Sequence, residues 1–334
     1  MGGFTSRTSG KMWTGTGWTG TAVIHKSSCY IGSLDRRLYC FDRMTGKKQW
    51  VFTAREMFKS SAAYFAGRIF IGNVDNHIYC INAGDGSLLW SYDTGKDCDS
   101  SPTIADNCMF IGGESGWMHC FRPDTGRLVW RTFLGGLGGK AGSNGVEGSP
   151  AVWEGRVYVA NYLGELFCLR QSDGGILWKA STGDDTDTSP VVSGGMVFVA
   201  AEEKSPYVFA FDARTGKKIW HFGGPGAVGF WSTPAVVADR LYIGDFGNSF
   251  YCLDAKKGSL IWKKQLSRGV WSSPAVVDGK VLFGSYDSHL YVLDAQTGSI
   301  LSAKRLDGRI ISSPVVEDGY IYVGTATGMF YCLR

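Results

Sequence analysis

The sequence predicts an all-β fold, an eight-bladed β-propeller built from four-stranded antiparallel blades, and three observations carry that reading. A block that ends in a glycine turn and a tryptophan recurs at Trp50, Trp90, Trp130, Trp178, Trp220 and Trp262, with a seventh copy ending in Ser302. The intervals between these ends are 40, 40, 48, 42, 42 and 40 residues, too regular for chance. Each block follows a second signature, clearest in SSPAVVDGKVLFGSYDSHLYVLD from Ser272 to Asp294, whose relatives start at Ser60, Ser100, Gly148, Thr188, Ser232 and Ser312, with a degenerate copy at Gly20. Glycine supplies 47 of the 334 residues, about twice its usual share of roughly 7%, while proline stays at 9. That excess belongs to repeated tight turns rather than to collagen or a proline-rich linker.

Within one copy the first three strands are SPAVV, KVLFGS and HLYVLD, and the fourth is a run such as GSLIWKKQ. Each is rich in β-branched and aromatic residues, and Asp-Gly or Thr-Gly turns separate them. A single sheet of this kind cannot cover its own apolar faces, so neighbours must stack on it. Radial stacking does this while leaving only short strand edges exposed. The last copy stops at YCLR, after its third strand, and Lys11 to Thr14 (KMWT) reads like the fourth strands KIWH and LIWK. Residues 11–16 are therefore expected to close blade eight with Trp13 in its tryptophan position, residues 1–10 to be flexible, and residues 1–334 to form a single domain.

The repeated block reads A-x-D-x-x-T-G-x-x-x-W, and Ala210 to Trp220 matches every fixed position. At these residues the chain resembles the quinoprotein-type, or PQQ-like, β-propeller family over nearly its whole length. The resemblance implies the fold more narrowly than the function, because that fold hosts quinone-dependent dehydrogenases, scaffold subunits of outer-membrane assembly, kinase sensor domains and appendages of acyl-activating enzymes. The quinone-dependent members are typically longer and exported, and they carry an adjacent cysteine pair with calcium-binding acidic and amide groups. This sequence has no Cys-Cys pair. Neither PQQ nor a divalent cation is expected as a resident cofactor.

Several function classes drop out on composition. The balance of 34 basic and 30 acidic residues, formally +4, is too small and too scattered for a nucleic-acid stripe. No apolar run approaches the 18 residues of a membrane span, and the first twenty residues lack the apolar core of a secretory signal. A cytoplasmic location is the expectation, with nine reduced cysteines that include no CxxC pair. Cys40, Cys80, Cys120, Cys168, Cys252 and Cys332 share one third-strand position, where alanine or valine stands in copies five and seven, so they read as small buried apolar groups. The repeated tryptophans likewise read as packing residues, each with a glycine four residues earlier.

Motif matches fail on context. GTGWTG (Gly15 to Gly20) and GPGAVG (Gly224 to Gly229) fit G-x-G-x-x-G but lead into strands, where a dinucleotide fingerprint needs a helix. Asp184, Asp185 and Asp187 lack the glycine and distal glutamate of a calcium loop. His25, His77, His119, His221 and His289 fall on different blades, and MGGFTS fits the short pattern for myristoylation at Gly2.

In a repeat protein the informative positions are those that depart from the repeat. The residue just before the S-S/T-P element is expected to ring the channel mouth, and read in order that ring is Thr19, Lys59, Asp99, Glu147, Asp187, Trp231, Trp271 and Ile311. Three carboxylates stand on consecutive blades and two indoles stand together on the next two. Carboxylates facing aromatic rings suit a cationic or amine-bearing ligand, through charge pairing and cation–π contact. The same carboxylates could instead share protons as acid and base, or hold a divalent ion. The expectation is a non-catalytic propeller that binds a partner protein or a small cationic ligand at Lys59, Asp99, Glu147, Asp187, Trp231 and Trp271. The alternative is an enzyme using Asp99, Glu147 and Asp187 at the same mouth. The glycine-rich stretch from Phe133 to Pro150 and the longer blade-five turn, AAEEKSPYV, mark places where a moving part would sit.

Overall fold

The fold described here is a computed structural model, and it describes residues 17–136, 145–202, 207–223 and 226–334. Among these residues every regular element is a strand, arranged as seven four-stranded antiparallel sheets and one three-stranded sheet, each in simple sequence order. Blade one runs Val23–His25, Ser28–Gly32, Arg37–Asp42 and Lys48–Thr53. Blade eight contains Val315–Glu317, Tyr320–Gly324 and Phe330–Leu333. Its expected closing strand, the Gly2 site, the centre of the Phe133–Pro150 stretch and residues 203–206 of the blade-five turn lie outside the described residues.

The turn between the third and fourth strands shows why D-x-x-T-G recurs. Asp42 accepts from the Thr45 amide and hydroxyl, both at 2.8 Å, while the Gly46 amide donates to the Asp42 carbonyl and Gly46 takes a φ of +67°. That left-handed conformation suits glycine. The repeated indole then sits on the equivalent glycine of the following blade, not on its own. A Cβ on Gly86 would lie 2.6 Å from the Trp50 ring, and one on Gly258 would lie 2.5 Å from that of Trp220. Each indole also donates Nε1–H to a carbonyl of that next turn, as Trp220 does to Ala255 at 2.9 Å. Gly46 meets no such ring among the described residues; the sequence assigns that place to Trp13, which lies outside them.

The third-strand cysteines pair between an aromatic residue on the second strand and the tryptophan on the fourth, as in Tyr30, Cys40 and Trp50. All are free thiols, and all but Cys332 are buried. The cores lie between blades: one contains Phe198, Ala210 and Trp220 of blade five with Leu241, Tyr251 and Leu253 of blade six.

First strands of successive blades touch one another, which places them innermost. The loop entering each blade clamps two neighbours together. At the junction of blades one and two, the Phe58 amide donates to Ser33 O at 3.1 Å, and Val74 donates to Met57 O at 3.2 Å. The same pair joins blade eight to blade one, where Trp18 donates to Thr325 O at 3.3 Å and Leu34 to Gly17 O at 3.1 Å. An Arg43–Asp318 ion pair crosses that seam as well. The ring is thus closed by the same bonds that join its other blades.

Candidate functional site

The S-S/T-P element builds the channel wall from two hydroxyls with different tasks. The first caps its own blade: Thr188 Oγ1 donates to Ala200 O at 2.7 Å and accepts the Ala200 amide at 3.0 Å. The second accepts the equivalent amide of the preceding blade, giving a belt in which Ser61 N donates to Ser101, Ser101 to Ser149, Ser149 to Ser189 and Ser189 to Thr233. Immediately before this element stand Thr19, Lys59, Asp99, Glu147, Asp187, Trp231, Trp271 and Ile311. All eight line one cavity of about 600 Å³, so the structure brings the whole sequence-derived ring together.

Two further tiers rise above that ring. The residue fifteen positions after each ring residue forms one: Leu34, Val74, Glu114, Tyr162, Glu202, Phe246, Tyr286 and Ala326. Its backbone amides donate to carbonyls two residues ahead of the ring: Gly17, Met57, Asp97, Gly145, Asp185, Gly229, Gly269 and Arg309. Sequence reasoning that stopped at the S-S/T-P element missed both tiers. The signal was available, since each tier is one column of the repeat, and each column varies as sharply in chemistry as the ring does.

Taken together, the ring and the tiers place seven carboxyl groups on blades three to five, Asp97, Asp99, Glu114, Glu147, Asp185, Asp187 and Glu202, of which Asp99, Glu147, Asp187 and Glu202 line the funnel. Among the described residues, one ammonium enters this group. Lys59 Nζ lies 2.5 Å from Asp99 Oδ2, with the two side chains only 16% and 3% exposed. Burial alone pulls the lysine pKa down, but the charges of Asp99 and then Glu147 and Asp97 carry it up to about 12. Four of the other acids, Glu114, Glu147, Asp185 and Asp187, have their pKa values raised, in each case first by burial. Burial and the Asp99 charge push Glu147 up to about 8, and burial with the Glu202 charge pushes Asp185 to about 7. Asp187 is raised well above the carboxylate range by burial, by Glu147 and by its hydrogen bond with Glu202.

The hydrogen bonds require the same conclusion. The Tyr162 hydroxyl lies 2.5 Å from both Glu114 Oε1 and Glu147 Oε2. A phenol has one proton to donate, so the second short contact requires a proton on one of the two carboxyls. Even so, Asp99 Oδ1, Asp185 Oδ1, Asp187 Oδ1 and Glu202 Oε1 are buried with no hydrogen-bond partner among the described residues. Such acceptors are costly when left unmet.

The adjoining wall is aromatic. Trp231 packs edge-on to Phe246 at 4.2 Å and tilted against Trp271 at 5.3 Å between ring centroids, and Tyr286 lies nearly parallel to Trp271 at 6.0 Å. The Arg309 guanidinium sits 5.4 Å from the centre of the Tyr286 ring.

Neither cofactor associated with such folds fits these residues. PQQ is a planar tricarboxylate, and its charges would face buried carboxyl oxygens that have no hydrogen-bond donor among the described residues. Asp99, Glu114 and Glu147 do place one ligand oxygen each within 4.8 Å of one another. However, the Lys59 ammonium occupies Asp99 and the Tyr162 hydroxyl bridges the two glutamates, so a divalent ion would have to displace both. The histidines stay apart, and His119 is a core residue whose burial lowers its pKa to about 4.

Fold and funnel together define a β-propeller with a polarised central mouth, acidic on one side and aromatic on the other. The chain belongs to the family described as outer membrane protein assembly factor BamB, whose model matches residues 34–118, 114–232 and 204–334. No curated protein matches it in sequence. Among solved structures it resembles the computationally designed Ika8 protein, with 14% identity and a TM-score of 0.82 over 95% of this chain and 96% of that one. It also resembles BamB from Moraxella catarrhalis, with 16% identity and a TM-score of 0.76 over 93% and 92% of the two chains. A europium-containing methanol dehydrogenase matches with 16% identity and a TM-score of 0.75, over 95% and 84%. At such identities these likenesses establish the fold alone.

Proposed function

We propose that this protein is a non-catalytic binding propeller whose funnel takes a cationic, amine-bearing group between the acidic and aromatic walls. The observation that carries this reading is the set of buried carboxylate oxygens on Asp99, Asp187 and Glu202 that have no hydrogen-bond partner among the described residues, beside the half-buried rings of Trp231 and Trp271 that line the same cavities. An ammonium there supplies the missing donors and gains cation–π attraction. The ammonium belongs to a small molecule or to a side chain of a protein partner, and the family description, an assembly factor, supports binding rather than turnover. Benzylamine titrated into the protein should quench tryptophan fluorescence and raise the melting temperature. Affinity should fall at least tenfold in Asp187→Asn and in Trp271→Ala. Absence of any saturable response to benzylamine, at a pH where the acidic wall is ionised, overturns the proposal.

One observation favours a second, catalytic reading: Glu147 is held to about 8, close to the range in which a carboxyl exchanges protons at neutral pH. Glu147 and Asp187 would then act as acid and base on a bound amine, with Asp99 holding Lys59. Turnover abolished by Glu147→Gln while binding persists would establish this reading over the first.

A further inference from the structure

Around blades five to eight, the tiers above the ring follow a sequence that no structural need imposes. Glu202 stands on blade five, Phe246 on blade six, Tyr286 on blade seven and Arg309 at the entry to blade eight. All four line a cavity of about 330 Å³, together with Asp187, Trp231 and Trp271 beneath them. Its two ends carry opposite charge. At the acidic end, Glu202 is only 9% exposed and its Oε1 has no hydrogen-bond partner among the described residues, as is also true of Asp187 Oδ1. At the other end the Arg309 guanidinium lies over Tyr286 and forms no ion pair among the described residues. Lys59, the other cation of the funnel among the described residues, is already matched by Asp99.

Resting on the cationic-ligand reading above, we infer that this cavity takes a zwitterion with its ammonium and its carboxylate at opposite ends of an apolar or aromatic body. Asp187 and Glu202 receive the ammonium, the rings of Phe246, Trp271 and Tyr286 cover the body, and Arg309 receives the carboxylate. Two aromatic blades separate the acidic end from the arginine, so a molecule with both charges on one carbon cannot satisfy both ends. A guanidinium can grip a carboxylate through two parallel N–H donors, and that contact separates a zwitterion from a simple amine.

Four probes test this: para-(aminomethyl)benzoate, benzylamine, benzoate and phenylalanine, each titrated calorimetrically into the full chain. The para compound should bind about tenfold more tightly than benzylamine and than phenylalanine, and benzoate should not bind measurably. Arg309→Gln should remove the tenfold preference and leave benzylamine within about twofold of its original affinity, while Arg309→Lys should restore part of it. Arg309 is exposed, so an unchanged melting temperature will show that the variants are folded. If benzylamine binds as tightly as the para compound, or Arg309→Gln weakens both alike, the zwitterion inference is wrong and the cationic reading stands. If neither binds, both are wrong.

Discussion

Blades three to five and blades six and seven offer the funnel the same backbone and opposite chemistry. In both arcs a second-tier amide donates to a carbonyl two residues before the ring, as Glu114 does to Asp97 at 2.9 Å and Phe246 to Gly229 at 3.0 Å. The clamp therefore places no demand on the side chain. Elsewhere the repeat is strict about identity, because an indole must fill the space over the next blade's glycine. Where the fold is indifferent, residue choice is free to report on what the funnel meets. One arc has chosen carboxylates that destabilise one another, and the other has chosen rings.

The sharpest way to test that contrast is to remove the same residue type from a packing position and from the funnel. Trp220→Ala takes a buried indole from the interface of blades five and six, and should cost about 3–5 kcal/mol in chemical denaturation. Trp271→Ala should cost less than half of that while removing most of the affinity for benzylamine. Equal destabilisation would mean that the aromatic arc is ordinary core.

Within the acidic arc, Lys59→Met leaves the buried Asp99 carboxylate without its ammonium and should cost on the order of 3 kcal/mol at neutral pH. The loss should shrink as the pH falls and the carboxylates protonate. A loss that is independent of pH would show that the lysine acts through packing alone.

A more graded effect follows from Glu147. Its pKa is raised in the fold, from an ordinary value near 4.5 to about 8, so between these limits the native state holds a proton that the unfolded chain releases. Stability from this group is therefore greatest below the window and falls as the pH rises through it, by up to about 1.4 kcal/mol per pH unit. Glu147→Gln should match the parent at pH 4.5 and exceed it increasingly towards pH 8 in melting temperature. A parallel pair of pH profiles would remove Glu147 from the coupled group. Affinity for benzylamine should move the other way, strengthening as the acidic wall ionises.

How much of this was legible beforehand depends on periodicity. Trp50 to Trp262, the D-x-x-T-G turns and the S-S/T-P element repeat often enough to reveal blades, strand order and the innermost ring, and all eight ring residues do meet at one cavity. Glu114, Tyr162 and Glu202 were not found, because each lies twelve or more residues from its ring neighbour in sequence. They reach the same funnel only when the turn between the second and third strands folds over the loop entering the blade. Nor does the sequence show that Lys59 serves Asp99, a contact across forty residues.

The sequence alone determined the number of blades, the strand order and which positions face the axis, because each follows from a local pattern repeated at fixed spacing. Only the tertiary structure decided the raised pKa values of Glu147, Asp185 and Asp187, the partner of Lys59 and the polarity of the cavity from Glu202 to Arg309. Those depend on burial and on distances between residues that are remote in the chain. Electrostatic energy is set by separation and solvent exposure, and neither is written in the order of residues.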